Sequence, residues 1–393
     1  MRPASMVVCT ILGLALLWPN CLNRSSTAAA AQPADRPESD AAPARRLARV
    51  IWPVGALPRE HIAWFCSRYA ETAITNRSLV YFDVTPDVGP TEVVLRGRTN
   101  APQLTAGLVA ALQSIGVTDV TSAVEPLPNR IRLGDRLFGV CRQANTLTYT
   151  QPEPTADRQT DLLFGEAVFL LDEQDDYYLL LAGDGYWGWT PSAAIEPMMA
   201  DRFDDYCRRA AVVLLNDVPG PEATIPRGAR LPLVRTVGDD CVILLPDGGE
   251  LTVPTASVRI DDSDSAGRAR AAAAQCSLGV PYVFGGRSPA GVDCSGFVTN
   301  VWARCGQPTA RDAWQQAFAG RLVATAWHRT DLRPGDQLFF LNAAGRIHHT
   351  AIAVDGARFV HAARPFVRIG SLNANDRYYE ADLDHTFFMA KRP

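Results

Sequence analysis

The sequence lacks the short motifs that would assign a metal or redox chemistry. None of its nine cysteines is spaced C-x-x-C, and no H-E-x-x-H occurs, so neither a zinc site nor a dithiol redox site is indicated. A long basic run is also missing, and the formal net charge of -4 gives no electrostatic support for nucleic-acid binding. The N-terminal apolar run of about 13 residues is too short to cross a bilayer comfortably. What remains is an ordinary globular composition, with 47% apolar and 20% charged residues.

Residues 1–31 have the three-part layout of a secretory signal. Arg2 precedes the apolar run "MVVCTILGLALLW", and small residues follow in "STAAAAQ". We expect cleavage near Ala31 or Gln32 and an extracytoplasmic mature protein, periplasmic or secreted and cell-wall associated, without stable membrane insertion. An uncleaved membrane anchor is the alternative. Lipid attachment at Cys21 is disfavoured, because "WPNC" lacks the small residues expected before a lipidated cysteine.

The length of the chain and its changes of pattern predict several domains. A leader rich in Pro, Ala and charge precedes helical and strand-like runs that predict a small α+β segment of unknown role. Two series of short strands with Gly/Asp turns then predict small barrels that resemble bacterial SH3-type domains. The predicted segments are the flexible leader 32–46, the α+β segment 47–130, the SH3-like domains 131–200 and 201–262, and the last domain 263–393.

Cys294 lies at the predicted start of a helix. Asp293 before it is a good N-cap residue, which places the thiol in the first turn. The helix dipole and the free backbone N–H groups favour an anion there, so we expect a lowered pKa for the Cys294 thiol. The same N–H groups can hold the negative oxygen of a tetrahedral intermediate. Cys305, further along the helix, has no such advantage. Among the other cysteines of an exported protein, Cys207 and Cys241 are the first pair to test for a disulfide.

A histidine pair could supply the base that a nucleophilic cysteine needs. In "RIHHTAIAVDGARFVHAA" the Asp-Gly dipeptide indicates a hairpin. If residues 354–356 form the loop, His349 and His361 face each other across two strands, with Cβ atoms about 5 Å apart. One imidazole could then act as base while the other fixes its tautomer. A two-residue loop would place them on opposite faces, and His348, which points away from His349, is the alternative base.

Several sequence blocks in the last domain resemble the NlpC/p60 family of cysteine peptidases. They are "PYVFGG", "GVDCSGF", "ARDAWQQ", "PGDQLFF", "HHTAIAV" and "FVHA", in that order within about residues 265–393. The resemblance implies an α+β, papain-like fold, with a cysteine-bearing helix packed on an antiparallel sheet. It implies Cys294 as nucleophile, His349 as general base, His361 as the orienting residue and Tyr282 as an oxyanion-hole group. No metal or organic cofactor is expected.

Two SH3-like domains before such a core are similar to a narrower group, the γ-D-glutamyl-L-diamino acid endopeptidases. The resemblance implies an exported enzyme that hydrolyses the γ-D-Glu–diaminopimelate bond of peptidoglycan stem peptides or murein fragments and requires a free N-terminal L-Ala. It implies that Glu166 in "FGEAV" and Tyr186 in "GDGYWGW" contact the substrate amine, together with Asp293 and Ser295. An ammonium group taken from water needs such carboxylates and hydrogen bonds.

Other interpretations stay open at this point. Glu166 could be a solvated acid at a strand end, Tyr186 a barrel residue and Asp293 only a cap. The Cys/His core could serve an amidase or acyltransferase acting on another amide or ester. A third hypothesis is a non-catalytic cell-wall-binding protein whose last domain is inert. Phe284 stands where the family usually has Trp, which leaves the fine substrate preference undecided.

Overall fold

The computed structural model of the chain describes residues 41–144 and 146–393. The predicted signal, residues 1–31 with Cys21, lies outside the described residues. All described residues belong to one compact unit, residues 39–393. Within this part of the chain no helix has both the length and the apolar character needed to cross a membrane.

The N-terminal segment is an α+β unit built on a three-stranded sheet. Strands β1 and β2 pair antiparallel, and β3 joins β2 in parallel after helix α3 crosses over. The predicted leader 32–46 is too long, because its last residues already belong to α1, where Ala44 and Ala48 are fully buried. The elements are α1 Ala42–Ile51, α2 Ile62–Ala73, β1 Phe82–Val88, β2 Val93–Thr99, α3 Pro102–Ser114 and β3 Val120–Pro126.

A seven-stranded antiparallel sheet follows, in the order β10-β4-β7-β8-β9-β5-β6. The "QDD" turn predicted between two strands is a two-residue hairpin loop, because Gln174 pairs with Tyr177 and Asp175 has a positive φ of 52°. The elements are α4 Arg130–Leu133, β4 Phe138–Cys141, β5 Thr146–Tyr149, β6 Arg158–Leu162, β7 Ala167–Gln174, β8 Tyr177–Leu181, β9 Trp187–Pro191 and β10 Ile195–Met198.

A second small β unit contains a five-stranded antiparallel sheet, in the order β16-β15-β14-β11-β17, and a two-stranded one. Its elements are α5 Ala200–Arg208, β11 Ala211–Leu214, β12 Val218–Pro219, β13 Thr224–Ile225, β14 Arg230–Val237, β15 Asp240–Leu244, β16 Glu250–Pro254 and β17 Val258–Ile260. Cys207 and Cys241 are both free and buried thiols, so the suggested disulfide between them is wrong.

The last domain packs helix α7 on a six-stranded antiparallel sheet, in the order β20-β25-β21-β22-β23-β24. This is the α+β arrangement expected from the sequence. The elements are α6 Ser263–Gln275, β18 Arg287–Ser288, β19 Gly291–Val292, α7 Cys294–Arg304, α8 Ala313–Gln316, β20 Arg321–Thr325, β21 Gln337–Leu341, β22 Ile347–Ala353, β23 Arg358–Ala363, β24 Phe366–Ser371, α9 Ala381–Thr386 and β25 Phe387–Arg392.

The apolar stripe of α7 fixes this helix on the sheet. Phe297, Val298 and Val301 are at most 1% exposed and pack against Ile352 and Val360 of strands β22 and β23. Each fully buried side chain of this size contributes about 1.5–3 kcal/mol relative to exposure. The start of the helix is therefore held firmly beside the strands that carry the histidines.

The N-terminal unit contacts two segments of the last domain. The Tyr69 hydroxyl donates a hydrogen bond of 3.4 Å to the carbonyl of Ala343, in the turn between β21 and β22. The Asn76 amide donates one of 2.9 Å to the carbonyl of Trp314 in α8. Gly107 approaches so closely that a Cβ there would lie 1.8 Å from the Ala343 oxygen. Residues 47–130 thus pack against the turn that precedes His348 and His349.

Candidate active site

Cys294 is the first residue of α7, as the sequence predicted. Asp293 has extended backbone angles, and its Oδ1 accepts a hydrogen bond of 2.7 Å from the Gly296 N–H, so the predicted N-cap is confirmed. Gly296 must be a glycine at this packing distance, because a Cβ there would lie 2.0 Å from the Gly286 carbonyl oxygen. The glycine-rich loop before α7 therefore closes directly onto the first turn.

The thiol of Cys294 lies along the backbone of β22. Its Sγ is 3.9 Å from the carbonyl oxygen of His348, and the N–H of Thr350 also reaches it. Burial raises the pKa of the Cys294 thiol, and the charge of Asp293 adds to this, while backbone N–H groups offset only a part. The expected lowering of this pKa by the helix N-terminus is therefore wrong, because burial outweighs the dipole. The resting site holds a neutral thiol at neutral pH.

His349 and His361 meet at hydrogen-bond distance, with 2.9 Å between His349 Nε2 and His361 Nδ1. The predicted register is nevertheless wrong. The backbone N–H of Val354 bonds the Arg358 carbonyl, so the loop is residues 355–357, and the pairing is shifted by two positions. A shift of two keeps each side chain on its face, so the two imidazoles still meet as diagonal neighbours.

The environment of His349 keeps it neutral. Burial lowers its pKa well below the usual value, and the neighbouring His361, His348 and Arg368 act in the same direction. A neutral imidazole can accept a proton from a thiol. His348, the alternative base, is exposed, although its carbonyl contacts Cys294.

Glu380 and Arg368 complete the histidine pair, and the sequence did not reveal either of them. His361 Nε2 lies 3.0 Å from Glu380 Oε1, and the Arg368 guanidinium donates bonds of 2.9 and 3.1 Å to the two oxygens of that carboxylate. Arg368 is directly opposite His361 in the β23–β24 pairing, so a correct strand register would have been the signal for it. Glu380 follows β24, and its backbone N–H bonds the Ser371 carbonyl.

Tyr282 borders the site from the glycine-rich loop. It forms an isolated bridge with Val292, and its ring packs on the α7 core. Burial raises the pKa of its phenol, the negative charge of the ionised Cys294 raises it further, and Arg364 opposes both. The phenol therefore stays protonated beside the thiol and can donate a hydrogen bond, which is what an oxyanion-hole group needs.

Arg311, a second residue that sequence reasoning missed, binds the two residues that flank Cys294. Its guanidinium donates bonds of 2.7 and 3.1 Å to the Asp293 carboxylate and one of 2.8 Å to the Ser295 hydroxyl. Burial opposes ionisation of Asp293, but the bonds from Arg311 outweigh it and lower its pKa. Asp293 is thus an ionised carboxylate that already has a cationic partner.

Glu166 and Tyr186 lie where the unit of the seven-stranded sheet meets its neighbours. Glu166 accepts bonds of 2.9 and 2.6 Å from the N–H groups of Leu163 and Gly183, and burial raises its pKa to about 7. It lines a cavity of about 510 Å³ together with Arg230 and Arg321, and neither Cys294 nor Asp293 is part of that lining.

Tyr186 packs on Phe318 just beyond α8, with 6.1 Å between ring centroids. The Gln316 amide at the end of α8 donates a bond of 3.2 Å to the carbonyl of Ser295. The segment of α8 and Phe318 therefore contacts both Tyr186 and the start of α7, while Glu166 lines a cavity to which Cys294 does not contribute. Cys294 thus neighbours Tyr282 and the strand that carries His349, whereas Glu166 lines a cavity without any of these residues.

A half-buried thiol at a helix start, which lies against the backbone on either side of a histidine oriented by a second imidazole, is an arrangement suited to a cysteine hydrolase. Residues 279–386 match the NlpC/P60 family, and residues 148–195 match the bacterial dipeptidyl-peptidase Sh3 domain. The chain is thus a cysteine peptidase with an NlpC/P60 domain and a dipeptidyl-peptidase SH3 domain.

The alignments with two curated relatives cover most of the length of those relatives. The γ-D-glutamyl-L-lysine dipeptidyl-peptidase of Bacillus subtilis is 27% identical over 57% of this chain and 79% of the relative. The protein of the same name from Bacillus cereus is 24% identical over 66% of this chain and 81% of the relative. A crystal structure of an NlpC/P60 family protein from Bacillus cereus aligns with 65% of this chain and 99% of its own, at 20% identity and a TM-score of 0.29.

Proposed function

We propose that this chain hydrolyses the bond between γ-D-Glu and an L-diamino acid in peptidoglycan stem peptides, and that it acts on substrates with a free N-terminal L-Ala. The observation that carries the proposal is the Cys294 thiol against the backbone that flanks His349, together with the 2.9 Å His349–His361 contact, in a chain that also has a dipeptidyl-peptidase SH3 domain. The names of the two Bacillus relatives support the γ-D-glutamyl specificity.

The reaction follows from the proton positions. The Cys294 sulfur attacks the γ-carbonyl carbon while His349 takes the thiol proton. The N–H groups at the start of α7 and the Tyr282 hydroxyl hold the resulting oxyanion. Collapse of the tetrahedral intermediate breaks the C–N bond, and His349 returns its proton to the leaving amine. Water, deprotonated by His349, then hydrolyses the thioester and releases the γ-carboxylate and the free thiol.

Contacts between the SH3 domain and the sheet support a role of this domain in substrate choice. The Leu322 N–H in β20 donates a bond of 2.7 Å to the Gly183 carbonyl, and the buried Lys391 ammonium donates to the Asp184 carbonyl. These bonds hold the loop that contains Tyr186 against the last domain. A loop fixed in this way can limit the length of the peptide that reaches the thiol.

The substrate assay uses four peptides. L-Ala-γ-D-Glu-L-Lys, L-Ala-γ-D-Glu-diaminopimelate and their N-acetylated forms are incubated with the protein, and release of the dipeptide is followed by mass spectrometry. We expect release from the free-amine peptides and at least tenfold slower release from the acetylated ones, because the loop that contains Tyr186 is held against the last domain and limits the room for an N-terminal extension. Equal rates would favour a general amidase, and no release from any peptide would contradict the proposal.

We also propose that the chain acts outside the cytoplasm, after removal of about residues 1–31. The support is the positively charged start, the short apolar run and the small residues that follow it. N-terminal sequencing of the protein recovered from the extracytoplasmic fraction of expressing bacteria should give a first residue near Ala31 or Gln32. Recovery from the cytoplasm with the N-terminal segment intact would contradict export.

A further inference from the structure

A chain of hydrogen bonds runs from the histidine pair to a carboxylate for which the reaction described above has no role. His349 Nε2 contacts His361 Nδ1 at 2.9 Å, and His361 Nε2 contacts Glu380 Oε1 at 3.0 Å. The other face of the Glu380 carboxylate is occupied by Arg368, which donates two bonds to it. His361 is 1% exposed, so its two ring nitrogens are shielded from water.

Glu380 is an ionised acceptor in this chain of bonds. Burial alone would raise its pKa, but the hydrogen bonds from His361 and Arg368 outweigh burial and lower the pKa to about 2. An ionised carboxylate has no proton to donate. The hydrogen in the 3.0 Å contact must therefore reside on Nε2 of His361.

We propose that Glu380, held by Arg368, is a positioning residue that fixes the proton arrangement of His361 and, through it, that of His349. With its proton on Nε2, a neutral His361 has a bare Nδ1, which can only accept a bond from the Nε2–H of His349. A neutral His349 with its proton on Nε2 has a lone pair on Nδ1, the nitrogen that can take the thiol proton. The inference rests on the cysteine peptidase reaction proposed above.

The carboxylate also acts when the thiol gives up its proton. The proton moves from Cys294 Sγ to His349 Nδ1 and no further, and His349 becomes an imidazolium. Its Nε2–H then bonds His361 more strongly, and the negative charge of Glu380 at the end of the chain stabilises the new positive charge. Without an acceptor-only group at this place, His361 can hold its proton on Nδ1, which would force the proton of His349 onto the wrong nitrogen.

Other charged and titratable groups lie at the same site and also influence the pKa values of its residues. His348 and Arg368 lie near His349, and both oppose its protonation. Asp293 and Tyr282 lie near Cys294 from the glycine-rich loop and the start of α7. Apart from Arg368, which bonds Glu380 itself, these groups keep their charges when only Glu380 is changed.

The test is Glu380→Gln in the full chain, with a readout that needs no substrate. Alkylation of Cys294 by iodoacetamide is followed by peptide mass spectrometry at pH 6 to 9, with the exposed thiol of Cys276 as internal reference. We expect about tenfold slower alkylation of Cys294 at pH 7, because general-base assistance is worth about 10²–10⁴-fold. Cys276 should react at its original rate. In the peptide assay kcat should fall about 100-fold with KM within about twofold.

The matched control is Asp382→Asn, which removes a neighbouring carboxylate of the same segment and leaves the hydrogen-bond chain intact. Thermal unfolding verifies the fold of each variant. If Glu380→Gln does not fold, Arg368→Met takes its place in the test, because it keeps the Glu380–His361 contact but removes the two bonds that hold the Glu380 carboxylate. A rate of Cys294 alkylation that matches the wild-type rate from pH 6 to 9, in Glu380→Gln or in a folded Arg368→Met, would overturn the proposal. An equal reduction of this rate in Asp382→Asn would also overturn it. If the wild-type chain cleaves no stem peptide, the alkylation result still tests the proton arrangement alone.

Discussion

Cys294→Ala is expected to lower kcat/KM for the stem-peptide substrate by on the order of 10⁶, which is the scale observed when a catalytic nucleophile is removed from a hydrolase. The reason is that no covalent intermediate can form, although the histidine pair and the backbone N–H groups remain in place. Thermal unfolding should change little, since the half-buried thiol is small and the cap on Asp293 is unaffected. Release of L-Ala-γ-D-Glu, followed by mass spectrometry, is the measurement.

The matched control is Cys305→Ala, at the other end of the same helix. Cys305 is a free thiol outside the hydrogen-bonded histidine chain, so its removal should leave kcat/KM within about twofold. Substantial cleavage by Cys294→Ala would assign the nucleophile to another residue. An equal loss in both variants would attribute the effect to damage of α7 rather than to chemistry.

The start of α7 could be predicted from sequence because its signals are local. Asp293, the glycines before it and the apolar stripe after Cys294 lie within a few residues of each other. The pKa of the thiol could not be predicted in the same way, since the burial that raises it depends on strand β22, more than 50 residues later. A local dipole argument gives the wrong direction when long-range burial is the larger effect.

For the histidine pair, the face of the strands could be predicted from the sequence but the strand register could not. Its shared face was predictable, because strand side chains alternate with a period of two. Its register was not, because the Asp355 side chain accepts bonds from the N–H groups of Ala357 and Arg358 and moves the loop by one residue. Glu380 has no sequence signal at all, since it reaches His361 only after β24 and a further loop.

The second large effect is expected for stability, from Arg392→Met. Arg392 is 2% exposed by its side chain and binds Asp336, 1% exposed, through bonds of 2.8 and 2.9 Å. It also bonds Asp331 at 3.2 Å. Methionine fills a similar volume but leaves the buried Asp336 carboxylate without its cation, which costs about 3–5 kcal/mol, while Asp331 keeps Arg333 as a partner. Differential scanning calorimetry should show Tm lowered by roughly 10 °C.

Arg235→Met is the matched control, because the Arg235–Glu250 pair has a similar length, 2.8 Å, but side chains that are 53% and 44% exposed. Exposed ion pairs contribute little, so the shift in Tm should be about 2 °C or less. Equal shifts in the two variants would mean that burial does not set the strength of these pairs. An unchanged Tm in Arg392→Met would mean that the Asp336 carboxylate finds another partner. A large shift for Arg392 alone would establish that this ion cluster secures strands β21 and β25, and with them the sheet on which His349 is held.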